Sequence, residues 1–187
     1  MVPTLCRTLG VKGHRPVVGT WDCKDMLYVF ASVNVVTAAL HTKTVACRTG
    51  LYRQVGESKT RRLQRTFADH LRQIAIRYPA STHARVVLVI DNAPWHRGQI
   101  IQAVLSEYPH LELKRLPSYS PQLNVIERLW KSLRRRATHN RLFDTLADLK
   151  QSIRTSLRYF QTVRSRIRSL IADCYPTPIN QTPTTGA

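Results

Sequence analysis

The run of residues 85–98, RVVLVIDNAPWHRG, limits the fold more than any other stretch of this chain. Val86–Ile90 are five apolar residues in a row, four of them β-branched, and such a run reads as a short strand. An unbroken rather than alternating apolar pattern predicts a central strand covered on both faces. The strand then stops abruptly at Asp91, with Asn92, Pro94, Trp95 and His96 behind it. In open α/β sheets ligands gather at the carboxyl ends of strands, where side chains emerge above a rigid platform. A carboxylate there, with only apolar groups behind it, must find water, a backbone amide or a metal ion. Two readings of Asp91 stay open on this basis, an Asx-turn or helix cap before Pro94 and a ligand for a cation.

The surrounding pattern supplies the sheet and its covering helices. RPVVGT and MLYVFASVNVVTAAL read as antiparallel strands around the polar turn WDCKD. From Ser58 the period changes: Leu63, Phe67, Leu71, Ile74 and Tyr78 mark one stripe of a helix that Pro79 ends. After the 86–90 strand, Ile101, Val104, Leu105 and Tyr108 predict a short helix, LELKRLP a strand, and SPQLNVIERLWKSLRRRA a further helix. A last helix, with Leu146, Leu149, Ile153, Leu157 and Phe160 on one side, is expected to start at an Asp144 cap. The β-α-β-α order after an antiparallel start predicts a mixed-sheet α/β fold. The Pro- and Thr-rich residues 176–187 carry no periodicity and are expected to be a disordered tail.

A second acid of interest is Glu127. It sits early in the helix that follows Asn124, so Asn124 and Glu127 are spaced for a capping box. Lys131 and Arg134 recur four and seven residues later on its face, while Ile126, Trp130 and Leu133 line another. An acid at the head of a basic ridge suits a site that holds a cation beside a phosphate backbone. An i,i+4 ion pair between Glu127 and Lys131 is the plainer alternative. His96, five residues after Asp91, is either a loop histidine or the partner of that acid. A hydrolase built on Asp91 and His96 would require a nucleophile motif, and no G-x-S-x-G run is present.

Charge selects the partner class. Twenty-nine Lys and Arg against 11 Asp and Glu leave a formal charge of +18, the mark of proteins that meet a polyanion. Between Arg128 and Arg168 there are 12 basic residues and two acids, Asp144 and Asp148. A solvated helix face mixes signs more evenly, so this region reads as a phosphate-tracking surface that includes Lys131, Arg134, Arg135 and Arg136. Cys6, Cys23, Cys47 and Cys174 show neither CxxC pairs nor finger spacing. No signal peptide or long apolar span is visible, and the expectation is a soluble, cytoplasmic protein with no membrane partner.

The paired stretches VVLVIDNAPWHRG and LPSYSPQLNVIERLWKSLRRR resemble the DDE transposases of the mariner-like superfamily, particularly the bacterial insertion-sequence branch of DDE superfamily endonucleases. Asp91 matches the family's second catalytic acid and Glu127 its third, with 35 residues between them. The likeness extends over about residues 1–175, and the paired motifs are its specific part. It implies an RNase H-like mixed sheet flanked by helices. It also implies Mg2+ or Mn2+ held by Asp91 and Glu127, with Asn92 and His96 as auxiliary residues. The implied activity is DNA strand cleavage and transfer at transposon ends, carried out by a homodimer or synaptic oligomer.

The same likeness implies a first catalytic aspartate on a central strand, and no matching strand follows Met1. The expectation is therefore a catalytic domain incomplete at its N-terminus, lacking its first central strand, and a partial, inactive copy of a transposase. Asp22 and Asp25 are the nearby acids that could stand in, although they belong to a polar turn. Stability is in question too, because the strands beside the missing one would have unpaired edges. The rival from another class is a non-catalytic basic nucleic-acid-binding protein in which Asp91 and Glu127 only cap helices.

Overall fold

The computed structural model describes residues 12, 14, 17, 19, 25–47, 57–118 and 124–172. Among the described residues four strands and five helices are ordered β1 (Met26–Val33), β2 (Leu40–Cys47), α1 (Lys59–Arg77), β3 (Val86–Ile90), α2 (Gln99–Glu107), β4 (Leu111–Arg115), α3 (Ile126–Ala137), α4 (Leu146–Thr162) and α5 (Arg164–Ile171). A 3-10 turn, Pro94–His96, lies between β3 and α2.

β1 and β2 pair antiparallel, from Met26 opposite Cys47 to Val33 opposite Leu40. β3 and β4 pair parallel, from Val86 opposite Leu111 to Ile90 opposite Arg115, with α2 as the crossover. The β-α-β-α continuation is as the sequence reads, whereas the antiparallel pair is β1 with β2, both within MLYVFASVNVVTAALHTKTVAC, rather than RPVVGT with the stretch after WDCKD. The strands form two separate two-stranded sheets, however. Among the described residues no strand joins β1 to β3.

Alternation along β1 divides the interior into two layers. Tyr28 and Phe30 face α1 and pack with Leu63, Phe67, Leu71, Leu88, Ile90, Ile101 and Val104. Leu27, Val29 and Val33 face the opposite way, against α3, α4 and α5, where Leu129, Leu133, Leu149, Ile153 and Phe160 complete the core. Burying each such leucine or phenylalanine contributes roughly 1.5–3 kcal/mol. α1 reaches both sheets because the buried stripe of this 19-residue helix runs unbroken from Leu63 to Ala75. Ser58 caps it, accepting from the Arg61 N–H at 3.2 Å.

Three sequence expectations need correction. β3 is covered on one face only: Leu88 and Ile90 are buried, whereas Val87 and Val89 are 46% and 55% exposed. The second helical layer packs on β1 and β2 and leaves that face of β3 bare. The stretch MLYVFASVNVVTAAL is not one strand, because Asn34 turns the chain by accepting the N–H groups of Val36 and Thr37 with its side chain. α4 is capped by Thr145 rather than Asp144, through a reciprocal capping box with Asp148. Of the expected RPVVGT strand only Val17 and Gly19 are described, neither in a strand, and most of WDCKD and the 176–187 tail lie outside the described residues.

Candidate metal and nucleic-acid site

Asp91 leaves the end of β3 into a loop pinned at three points. Asn92 donates from Nδ2 to the Leu116 carbonyl at 2.8 Å, tying the loop to the end of β4. Gln64 on α1 donates to the Arg97 carbonyl at 2.7 Å. Gly98 then starts α2 at a φ of 110°, a region that disfavours any side chain, with the Gln64 amide directly against it.

The Asp91 carboxylate is half exposed and accepts twice through one oxygen. Its Oδ1 receives the Ala93 N–H at 3.0 Å and the His96 Nδ1 at 2.9 Å. The Asx-turn reading is thus correct as far as it goes. It uses only Oδ1, and Oδ2 has no protein partner among the described residues. The His96 hydrogen bond holds the Asp91 carboxyl below the usual carboxylate range, with the Ala93 amide assisting and partial burial opposing. Because Nδ1 donates to a carboxylate, the ring carries its proton there. His96 is held in turn by the Phe67 ring, with centroids 4.2 Å apart. The same Nδ1 lies 3.4 Å from the Asp91 main-chain carbonyl, so His96 touches both the carboxylate and the backbone of that residue.

Glu127 occupies the first turn of α3 and is exposed. The helix begins at a Val125 cap with no side-chain hydrogen bond, so the Asn124 capping box does not form. Neither does the ion pair with Lys131, and although the Glu127 N–H donates to the Asn124 carbonyl at 3.0 Å, its carboxylate has no hydrogen-bond or salt-bridge partner among the described residues. An exposed acid left unused by its own helix remains available to a ligand.

Both acids line one groove of about 1000 Å³, together with His96, Trp95, Asn124, Trp130 and Arg134. Sequence distance hides this convergence, since β3 belongs to the core layer over α1 and α3 to the layer with α4 and α5. Of the other basic residues singled out, Lys131 and Arg135 are exposed on α3 outside the groove lining. Arg136 instead stacks over the Tyr159 ring at 3.9 Å, joining α3 to α4. Arg128 donates to the Leu170 carbonyl at 3.2 Å and ties α3 to α5. Asn92 faces the loop rather than the groove. Phe67 and Gln64, which hold the loop, carry no signal in the sequence that would link them to Asp91.

The donor set is consistent with a hard divalent ion, which takes one or two protein carboxylates and completes its shell with water and substrate phosphate. Asp91 offers an unpartnered oxygen and Glu127 a whole carboxylate. Among the described residues no group of three His, Cys, Asp or Glu side chains is close enough to hold a metal without outside ligands.

The model of the DDE superfamily endonuclease family matches residues 43–150, more than half of the chain, and spans both Asp91 and Glu127. This chain belongs to that family. Among curated relatives, a Shigella sonnei insertion element IS630 uncharacterized 39 kDa protein is 32% identical over 69 residues, 37% of this chain and 20% of the relative. The Sinorhizobium fredii uncharacterized protein y4pE/y4sA is 32% identical over 81 residues, 43% of this chain and 56% of the relative. The DDE-family chain thus spans about a fifth and about half of those two relatives in the matched regions. Among solved structures, a Mos1 transposase paired-end complex with left transposon end has a TM-score of 0.54 at 16% identity, covering 92% of this chain and 51% of that one. A Mos1 mariner paired end complex with Mn gives 0.54 at 17%, covering 92% and 52%. At these identities the likeness is one of fold, and it places this DDE-family chain in the RNase H-like class. Among the described residues no helix is long and apolar enough to cross a membrane.

Proposed function

We propose that this DDE-family chain acts on DNA as a transposase catalytic domain, with Asp91 and Glu127 as carboxylate ligands of Mg2+ or Mn2+. The observation that carries the reading is that two acids from distant parts of the chain line one groove, Asp91 with one carboxylate oxygen unpartnered and Glu127 with its whole carboxylate. In phosphodiester cleavage and transfer, a divalent ion activates the attacking oxygen and stabilises the leaving one.

The chain's own groups have defined parts in this. His96 donates to Oδ1 and fixes the rotamer of Asp91, leaving Oδ2 directed to the ligand. Arg134 supplies a positive charge inside the groove, where a phosphate meets the two acids. Lys131 and Arg135, exposed on the same helix, hold the flanking backbone. The name of the Shigella sonnei relative as an insertion element protein, and the transposon-end complexes of the Mos1 neighbours, support DNA as the substrate and a paired assembly as the working state.

No third carboxylate joins Asp91 and Glu127 among the described residues, so we expect this chain alone to nick DNA weakly or not at all. Binding separates the reading from its rival more cleanly than turnover does. Mn2+ should raise the affinity of the wild-type chain for duplex DNA, and both Asp91→Ala and Glu127→Ala should remove that increment while keeping salt-sensitive binding. Identical DNA affinities with and without Mn2+ in all three proteins would instead establish a basic DNA-binding protein whose acids hold no metal. Any Mn2+-dependent nicking should likewise vanish in both variants.

A further inference from the structure

Lys150, Arg154 and Arg158 recur at i, i+4 and i+8 on α4 and so stand in one row along the helix. All three are exposed, and none forms an ion pair among the described residues. Cations elsewhere on the chain are placed differently: Arg65 meets Glu57 at 3.0 Å, Arg72 meets Glu107 at 3.3 Å and Lys43 meets Asp69 at 3.7 Å. α4 contains one acid, Asp148, and Thr145 takes its carboxylate at the N-terminus of the helix. Like charges at i and i+4 destabilise a helix. The row is therefore a cost to α4 in the free chain, and a polyanion lying along it would remove that cost.

The contacts of α4 fix where the row points. Ser152 donates to the Ala137 carbonyl at 2.8 Å, and Tyr159 lies under the Arg136 guanidinium, so this flank faces α3. Gln161 continues the row on the other flank and donates to the Leu40 carbonyl and the Thr42 hydroxyl of β2, each at 3.3 Å. At about 100° per residue, the row lies roughly 150° around the helix from Ser152 and Tyr159. None of its three cations lines the groove of Asp91 and Glu127, and α3 with the body of α4 stands between the two. Beyond Gln161 the positive field continues. After the larger effect of burial, the charges of Arg77 at the end of α1 and Arg164 at the start of α5 lower the pKa of His41 on β2.

We propose that this row is a second phosphate-binding surface, on which the chain holds the backbone of a second DNA duplex while the first lies in the groove. It rests on the reading of DNA as the substrate, and not on a metal held by the two carboxylates. Lys150 and Arg158 are about 12 Å apart along the helix axis, the rise of about three to four phosphates of one DNA strand. Large exposed apolar residues, which a membrane-surface helix requires, are absent from α4. Phosphate contacts carry no sequence information, so duplexes of any sequence serve equally. Three cations without a metal ion make the row the weaker of the two sites.

The test titrates a short fluorescein-labelled duplex into the full 187-residue chain and reads the saturating ratio by sedimentation, with and without Mn2+. The wild type should bind two duplexes per chain, the second equally well with and without Mn2+. Neutralising three phosphates, the second duplex should lose some 40-fold in affinity between about 50 and 200 mM salt. The triple variant Lys150→Gln, Arg154→Gln, Arg158→Gln should bind one duplex and keep any Mn2+ increment of the first. The charge-keeping variant Lys150→Arg, Arg154→Lys, Arg158→Lys should again bind two, with urea unfolding alike in all three proteins. Saturation of the wild type at one duplex would overturn the proposal, as would two duplexes on the Gln variant. Absence of any DNA binding would overturn it together with the reading of DNA as substrate. Two duplexes on the wild type, one on the Gln variant and no Mn2+ increment would uphold it and sink the carboxylate reading alone.

Discussion

The basic residues of α3 do different jobs, and the salt dependence of DNA binding should resolve them. Lys131, Arg134 and Arg135 form no ion pair among the described residues, whereas Arg136 is spent on the Tyr159 ring. Each phosphate neutralised by a cation contributes about 0.9 to the slope of log affinity against log salt. Replacing Lys131, Arg134 and Arg135 by Gln should therefore flatten that slope by about 2.7. Raising salt from about 50 to 200 mM would then cost the triple variant some 40-fold less affinity than it costs the wild type. Arg136→Gln should leave the slope nearly unchanged and lower stability by about 0.5–1 kcal/mol through the lost cation–π contact. Fluorescence anisotropy on a labelled duplex at five salt concentrations, with urea unfolding of each variant, measures both quantities. A slope that falls as much for Arg136→Gln alone as for the triple variant would refute the division of roles drawn from the structure.

Two further outcomes test the packing. His70 of α1 is buried against β1, bonded to Ser32 Oγ at 2.8 Å, and its pKa is pushed down to about 4, chiefly by burial. The unfolded chain binds the proton more readily, so stability should be full above the ordinary histidine range and should fall as pH drops from about 6.5 to about 4. Urea unfolding across that window, with the His70 ring resonances followed by NMR, checks both the sign and the residue. Leu133 is fully buried where α3 meets the core, and Leu133→Ala should cost about 3 kcal/mol in urea unfolding; a loss below about 1 kcal/mol would mean that α3 does not pack on β1 and α4 as described.

What the sequence reveals depends on whether the deciding interaction is local. The 59–77 helix is legible because its apolar stripe, its Ser58 cap and Pro79 all lie within some twenty residues. The turn after β1 is not, since Asn34 makes it from within the apolar run VNVVTAAL, and Ala38 takes a positive φ that its residue type does not advertise. The break at Val163, which separates α4 from α5, lacks a glycine or proline to announce it. VVLVI suggests burial on both faces because an apolar run reports what its residues tolerate, not whether a second layer arrives to cover them.

The site divides along the same line. Asp91 and His96 lie five residues apart, and their pairing could be anticipated from that spacing. That Glu127 caps nothing, and that it shares a groove with Asp91, depends on how α3 docks against β1 and on the space left between the sheets. The basic run 128–168 signals a polyanion partner but hides the diversion of Arg136 and Arg128 to structural contacts, because both depend on neighbouring helices.

The central claim is that Asp91 and Glu127 hold one divalent ion between them. Electron paramagnetic resonance of free Mn2+, titrated into the wild-type chain in the presence of duplex DNA, measures this directly. The affinity of this site should fall at least tenfold in Asp91→Ala and equally in Glu127→Ala, with circular dichroism unchanged. Mn2+ binding of the same strength in the wild type and both variants would contradict it.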